Sequence, residues 1–182
     1  MVRKLKFHEQ KLLKKTDFIT WEVDQKNRQA DMMRKYHVTK REHYALYNRL
    51  ADNVRTIASK LKDLPQGSAY REQKTKELLA KLYSHGLIAS ADTLEKLSGI
   101  SGSSFARRRL PCVMKRTAMV PNVRQASDLV EQGHVRVGAK LVTDPAFMVT
   151  RAQEDMITWC RTSKIRAQVL AYNDQLDDFD LA

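Results

Sequence analysis

Cysteine is scarce, with only Cys112 and Cys160 in 182 residues, and the two form no CxxC or Cys/His spacing. That excludes a thiolate metal knot and a disulfide scaffold, and points to reduced, buried thiols in an intracellular protein. No apolar run approaches the roughly 20 residues of a membrane span. The opening Met1-Val-Arg-Lys-Leu-Lys-Phe-His8 is too charged for a signal peptide. The expected compartment is therefore cytosolic or nuclear, with no membrane partner. Glycine-rich phosphate loops are missing. The five histidines are dispersed, and no Ser/His/Asp or Cys/His set has a recognisable spacing. Accordingly no catalytic residue, metal ligand or cofactor is assigned, and the chain is expected not to be an enzyme.

Acidic residues are the other shortage. There are 21 against 33 lysines and arginines, a formal charge of +12, while apolar residues hold a globular 42%. Such an excess suits a polyanion, because Lys and Arg release counterions when they neutralise phosphates. The charge is uneven. Residues 1–62 hold 16 basic against 7 acidic side chains, and residues 107–140 hold 8 against 2. From 141 onward the balance reverses, 4 against 7.

Along the chain, Lys4, Lys6, Lys11, Lys14 and Lys15 make a basic arm with Phe7, Leu12 and Leu13 between them. It is either a short helix or a segment ordered by an RNA or protein partner, with free solvation the alternative. Asp17 opens a stretch whose Phe18, Ile19 and Trp21 call for burial. Thr39-Lys-Arg-Glu42 has capping-box spacing and opens a long helix, with Tyr47, Leu50, Ala51, Val54, Ile57, Ala58 and Leu61 on its inner face. Arg41, Arg49, Arg55, Lys60 and Lys62 lie opposite, and Pro65 follows the end. A second helix spans residues 71–85, with Leu78, Leu79, Leu82 and Tyr83 inward and Gly86 as its cap. Asp92 starts a third, short one. The Gly/Ser-rich residues 98–104 read as a linker and domain boundary.

Beyond that boundary, a helix begins in Arg107–Arg116, with Leu110, Val113, Met114 and Thr117 on one side. Arg108, Arg109, Lys115 and Arg116 fall largely on the other, and Pro111 is tolerated in the first turn. Asn122 and Gln125 have capping-box spacing for the next helix, whose buried stripe is Val123, Ala126, Leu129 and Val130 and which ends at Gly133. His134–Gly138 alternates with Val135 and Val137 inward. Leu141-Val142 forms a further strand, Asp144-Pro145 a turn, and residues 147–150 and 156–159 two more short strands. The predicted fold is α+β, two helices on a small bent antiparallel sheet beside a helical N-terminal part. A final amphipathic helix spans residues 163–176, with Ile165, Val169, Tyr172 and Leu176 on one side. It ends in Asp174, Asp177, Asp178 and Asp180, either a solvated tail or a partner for basic groups. Trp21, Trp159 and the methionines are assigned to the core.

Arg108, Arg109, Lys115, Arg116, Arg124, Gln125, His134, Arg136 and Lys140 are expected to share a surface. Nothing resembles a helix built for the DNA major groove, and there is no dimerisation zipper. Mixed Arg, Gln and His suit backbone and 2′-hydroxyl contacts on folded RNA, so DNA is not an expected partner. For His134, packing at the helix–strand junction is the alternative to RNA contact.

Arg109-Leu110, Arg124-Gln-Ala126, Leu129-Val130, Gly133-His-Val-Arg-Val-Gly138 and Asp144-Pro145 resemble the S4 RNA-binding domain in order and spacing. Departures are Pro111 where an acid is frequent, Ala139 in place of an Asn-Gly turn, and Glu154-Asp155 for Gly-Asp. Lys40-Arg-Glu42, Lys81-Leu-Tyr-Ser-His-Gly-Leu-Ile88 and Phe105 extend the likeness to the ribosomal protein S4 lineage. Within it, residues 1–15, Gln132–Gly138, Asp144–Phe147 and Asp177–Asp180 look like the S4-related proteins of the U3 small nucleolar ribonucleoprotein. The resemblance implies residues 1–38 as a basic arm with short helices, 39–104 as a helical domain, 105–160 as the S4 domain, and 161–182 as a terminal helix and tail. It implies a nucleolar protein of the small-subunit processome, acting in ribosome biogenesis. U3 small nucleolar RNA, precursor small-subunit rRNA and a large acidic scaffold protein are the implied partners, the chain being a monomer within the particle and promoting RNA–RNA pairing. A ribosomal protein of the small subunit, or an S4-fold protein adaptor, is the alternative.

Overall fold

The computed structural model describes residues 3–15 and 25–174. Phe18, Ile19, Trp21, Leu176, Asp177, Asp178 and Asp180 lie outside the described residues. The elements, in order, are helices α1 (Phe7–Lys15), α2 (Gln25–Lys35), α3 (Arg41–Lys62) and α4 (Ala69–Ser84), and a 3-10 turn at Leu94–Leu97. Then come α5 (Gly102–Ala106), α6 (Leu110–Arg116), α7 (Val123–Glu131), β1 (Val135–Val137), β2 (Lys140–Leu141), α8 (Arg151–Glu154), β3 (Ile157–Trp159) and α9 (Lys164–Tyr172). The α+β architecture is as the sequence indicates. Among the described residues no helix is long and apolar enough to cross a membrane.

Two cores form. The first joins Tyr47, Ala51 and Ala58 of α3 to Leu79 and Leu82 of α4, Ile88, Leu97, Ile100 and Phe105. Tyr47 stacks on Phe105, with ring centroids 6.5 Å apart. The second joins Leu110, Val113 and Met114 of α6 to Ala126 and Val130 of α7, and both to Val135, Val137, Val142, Val149 and Ile157. The inner stripes follow the predicted periodicity with outward exceptions. Leu50, Ile57, Tyr83 and Val169 are partly exposed, and Tyr172 is almost fully so.

Several helix ends differ from expectation. Lys40, not Thr39, is the N-cap of α3, with no side-chain cap bond. Asn122 does cap α7 by position, yet its side chain makes no cap bond. Ser163 caps α9, accepting from the Ile165 N–H at 3.2 Å. The predicted helix at Asp92 is only the 3-10 turn, capped at Thr93. At their other ends, four helices close in the same way. A residue of positive φ (His37, Gly86, Ala118 or Gly133) is followed by an N–H bonded to the carbonyl five residues back. These Schellman closures satisfy terminal carbonyls.

Residues 98–104 are not a free linker. Ser101 and Ser104 make a capping box for α5, whose Gly102, Ser104, Phe105 and Ala106 are buried. A Cβ at Gly102 would collide with the Asn48 side-chain oxygen, so glycine here permits α5 to lie against α3. Within this stretch Gly102 and Ser104 are buried, while Ser98, Gly99 and Ser101 are exposed.

The sheet has three antiparallel strands in the order β2-β1-β3. Arg136 lies opposite Leu141 on one side and Thr158 on the other. A two-residue turn, Gly138-Ala139, joins β1 to β2. Residues 147–150 form no strand of their own. One bridge, Arg109 to Met148, holds them, with the Leu110 N–H donating to Phe147 O and the Val149 N–H to Arg108 O, both at 2.9 Å. Thr150 and Gln153 then make a capping box for α8, a short helix with no hydrophobic stripe to announce it.

Candidate nucleic-acid interface

The triplet Arg107-Arg108-Arg109 bends the chain from α5 into α6, and its three side chains part company. Arg107 is exposed and donates to Ser104 Oγ at 3.2 Å. Arg108 is buried. Its Nε and Nη2 donate to Val149 O at 3.0 and 2.5 Å, and Nη1 pairs with Glu154 Oε1. Arg109 is buried as well, donating from Nε to Pro145 O at 3.2 Å. Its Nη1 reaches Tyr36 O at 3.4 Å and His37 O at 3.1 Å. Both arginines were expected on the exposed basic surface, and the structure places them inside. The reason is unmet carbonyls: a guanidinium carries five N–H donors in a fixed fork and satisfies several at once.

Arg109 thereby closes the end of α2, where exposed carbonyls carry partial negative charge. Arg151, at the start of α8, does the same for α4. It donates to Tyr83 O at 2.9 Å, Ile88 O at 2.7 Å and Ala89 O at 3.4 Å, and lies 4.2 Å from the Tyr83 ring centroid. Two arginines of the S4-type half thus bind it to the N-terminal helices.

The remaining basic positions stay available to solvent. Lys115 and Arg116 end α6, and Arg124 and Gln125 sit in the first turn of α7; all four are exposed. Arg116 is 53% exposed yet pairs with Glu154 Oε2 at 2.5 Å. Glu154 therefore sits between a buried and an exposed arginine. Partial burial pushes its carboxyl pKa up, but hydrogen bonds and charge from Arg108 and Arg116 outweigh this and hold it below the usual carboxylate range. Lys140 is exposed in β2.

Val135 and Val137 point to the core, so Arg136 leaves the sheet on the face opposite α6 and α7. It donates to Thr158 Oγ1 at 2.9 Å. The predicted surface is thus divided between helix pair and sheet face. His134 is half-buried with Nδ1 2.9 Å from Ser163 Oγ, a contact that ties the β1 entry to the α9 cap. Lys4, Lys6, Lys11 and Lys14 are exposed along α1 and its approach, and Lys15 is its last residue.

Sequence reasoning missed Arg107, Arg151, Glu154, Thr158 and Ser163. Glu154 carried a signal, an acid at a turn where the S4 pattern has glycine. Cys112 and Cys160 are free and half-buried. Burial pushes the Cys112 thiol up to about 11, against nearby Arg109 and Lys115, whereas hydrogen bonding with Thr162 lowers that of Cys160. Among the described residues, no group of three or more His, Cys, Asp or Glu could hold a metal ion.

Comparison with known proteins agrees with this geometry. Residues 4–107 match the family described as the ribosomal protein S4/S9 N-terminal domain, and residues 108–157 match the S4 domain. The U3 small nucleolar ribonucleoprotein protein imp3 of Caenorhabditis elegans is 59% identical over 181 residues, covering 100% of this chain and 99% of that protein. The Homo sapiens protein of the same name is 50% identical over 182 residues, again 100% and 99%. Small ribosomal subunit protein uS4 of Metallosphaera sedula is 31% identical over 136 residues, 74% of each chain. With both halves of the S4 pattern present and near-complete coverage by these relatives, the chain belongs to the S4 family, in the group named U3 small nucleolar ribonucleoprotein protein IMP3.

Proposed function

We propose that this chain is a non-catalytic, RNA-binding component of the U3 small nucleolar ribonucleoprotein, acting in the nucleolus in processing of the precursor of small-subunit rRNA. The full-length match to relatives that bear the name of that particle carries the proposal. In this reading the chain promotes pairing between U3 small nucleolar RNA and the pre-rRNA. Cationic side chains on both layers of the S4 domain would lower the repulsion between two phosphate backbones, which a short duplex must overcome. Lys115, Arg116, Arg124, Gln125 and Lys140 are the exposed contacts, with Arg136 on the sheet's outer face and His134 beside it. The lysines of α1 provide a secondary contact to RNA or to an acidic scaffold protein, and the chain acts as a monomer within the particle. Arg108 and Arg109 support the surface from inside.

The test measures binding of U3 small nucleolar RNA and a pre-rRNA fragment at several salt concentrations, together with the rate at which the two anneal. A Lys115→Ala/Arg124→Ala/Arg136→Ala variant should bind more weakly, show a shallower salt dependence by about one per lost phosphate contact, and anneal more slowly. Unchanged binding and annealing by the variant would move the RNA site elsewhere and favour the adaptor role.

A further inference from the structure

A cleft of about 290 Å3 lies where the two halves meet, lined by the Gly86 loop and by Arg107, Arg108, Arg116 and Arg151. Four guanidinium groups at one small opening repel one another. A single carboxylate, Glu154, pairs with two of them, Arg108 and Arg116. Arg107 and Arg151 have no carboxylate partner among the described residues. The cleft therefore carries an excess of positive charge that a bound anion would relieve.

Its walls are built rather than incidental. Arg108 is fixed by Val149 O and Arg151 by the carbonyls of Tyr83, Ile88 and Ala89. Gly86 has φ +68°, and a Cβ there would lie 2.6 Å from Arg108 Nη1, so only glycine lets this loop cover the guanidinium. Arg107 and Arg116, by contrast, are exposed and make few bonds, leaving N–H donors free to turn inward. Two fixed cations at the back and two adjustable forks at the rim suit one tetrahedral oxyanion, held bidentately.

We propose that this cleft is a phosphate-binding site for one backbone phosphate of bound RNA, with Arg107 and Arg116 as the contacting residues and Arg108 and Arg151 supplying field from behind. The proposal rests on the RNA-binding role above and extends that surface, through Arg116 at the end of α6, to Arg107 at the junction with the N-terminal helices. An acidic peptide fits less well, because none of the lining residues belongs to a strand whose edge could align a peptide backbone. Glu154 acts as an internal competitor, since its carboxylate occupies Arg116 when no phosphate is present.

The experiment compares wild type, Arg107→Ala/Arg116→Ala and Glu154→Gln by RNA affinity across a salt series, with thermal unfolding as the check on folding. The arginine Nε–H resonances are followed as U3 small nucleolar RNA is added. The double variant should lose several-fold in affinity and have a salt slope shallower by about one, while Glu154→Gln should bind several-fold more tightly. A gain on Glu154→Gln is not what general destabilisation would produce. If wild type binds RNA and neither variant alters slope or affinity, the cleft proposal fails and the RNA-binding role stands. If the variants leave RNA binding unchanged but the double variant abolishes binding of a poly-glutamate peptide, the cleft takes carboxylates and the proposal also fails. If wild type binds no RNA, both fall together.

Discussion

Arginine does two jobs in this molecule, and neighbouring residues divide them. Arg108→Ala would leave Val149 O unmet and remove one partner of Glu154. The expected loss is about 3 kcal/mol, near the low end for a broken buried pair, because Glu154 keeps Arg116 and some access to water. Arg124→Ala, on the exposed helix surface, should change stability by less than about 0.5 kcal/mol. Urea unfolding of both variants separates the roles directly. Glu154 has a lowered folded-state pKa, so its contribution to stability is present above the unfolded carboxylate pKa and is lost as pH falls through the folded value. Stability curves of wild type and Glu154→Gln should therefore converge in acid and diverge toward neutral pH. The cysteines give a third check at this scale. With its thiol raised to about 11, Cys112 should alkylate slowly at pH 7.5, while Cys160 reacts first, as mass spectrometry of a labelling time course would show.

At the level of elements, legibility followed period. Strands β1 and β3 and helices α3, α4, α6 and α7 could be read because their apolar residues recur with a helical or two-residue spacing and burial follows that spacing. Helices α5 and α8 could not, since five and four residues complete too few turns to show a stripe. Residues 98–104 were legible in part: Ser98, Gly99 and Ser101 are exposed, but Gly102 is packed beside Asn48, because glycine serves both loops and close contacts. Arg108 and Arg109 misled for a related reason: charge in the sequence says nothing about which carbonyls are waiting in the fold. The helix ends supply a prediction here. Ala118 closes α6 at φ +59°, a conformation that costs an L-residue roughly 1–2 kcal/mol. Ala118→Gly removes that strain against a smaller entropic cost of about 0.5–1 kcal/mol, so thermal unfolding should show a gain of up to about 1 kcal/mol.

On the scale of the whole molecule, the two cores are joined by side chain–backbone bonds concentrated in Arg109 and Arg151. Each arginine leaves the S4 half and ends on carbonyls that close a helix of the N-terminal half. Wild type should therefore unfold in one calorimetric transition, and Arg109→Ala/Arg151→Ala should split or broaden it. The Gly86 loop adds a constraint of another kind. Bare backbone at position 86 admits a long cation at 108, and that buried cation in turn calls for an acid at 154. The three positions are far apart in the chain but form one unit of inheritance: a drift to a bulkier residue at 86 would have to be accompanied by a shorter, uncharged side chain at 108 and a neutral one at 154. Among related chains these three positions should thus change together or not at all.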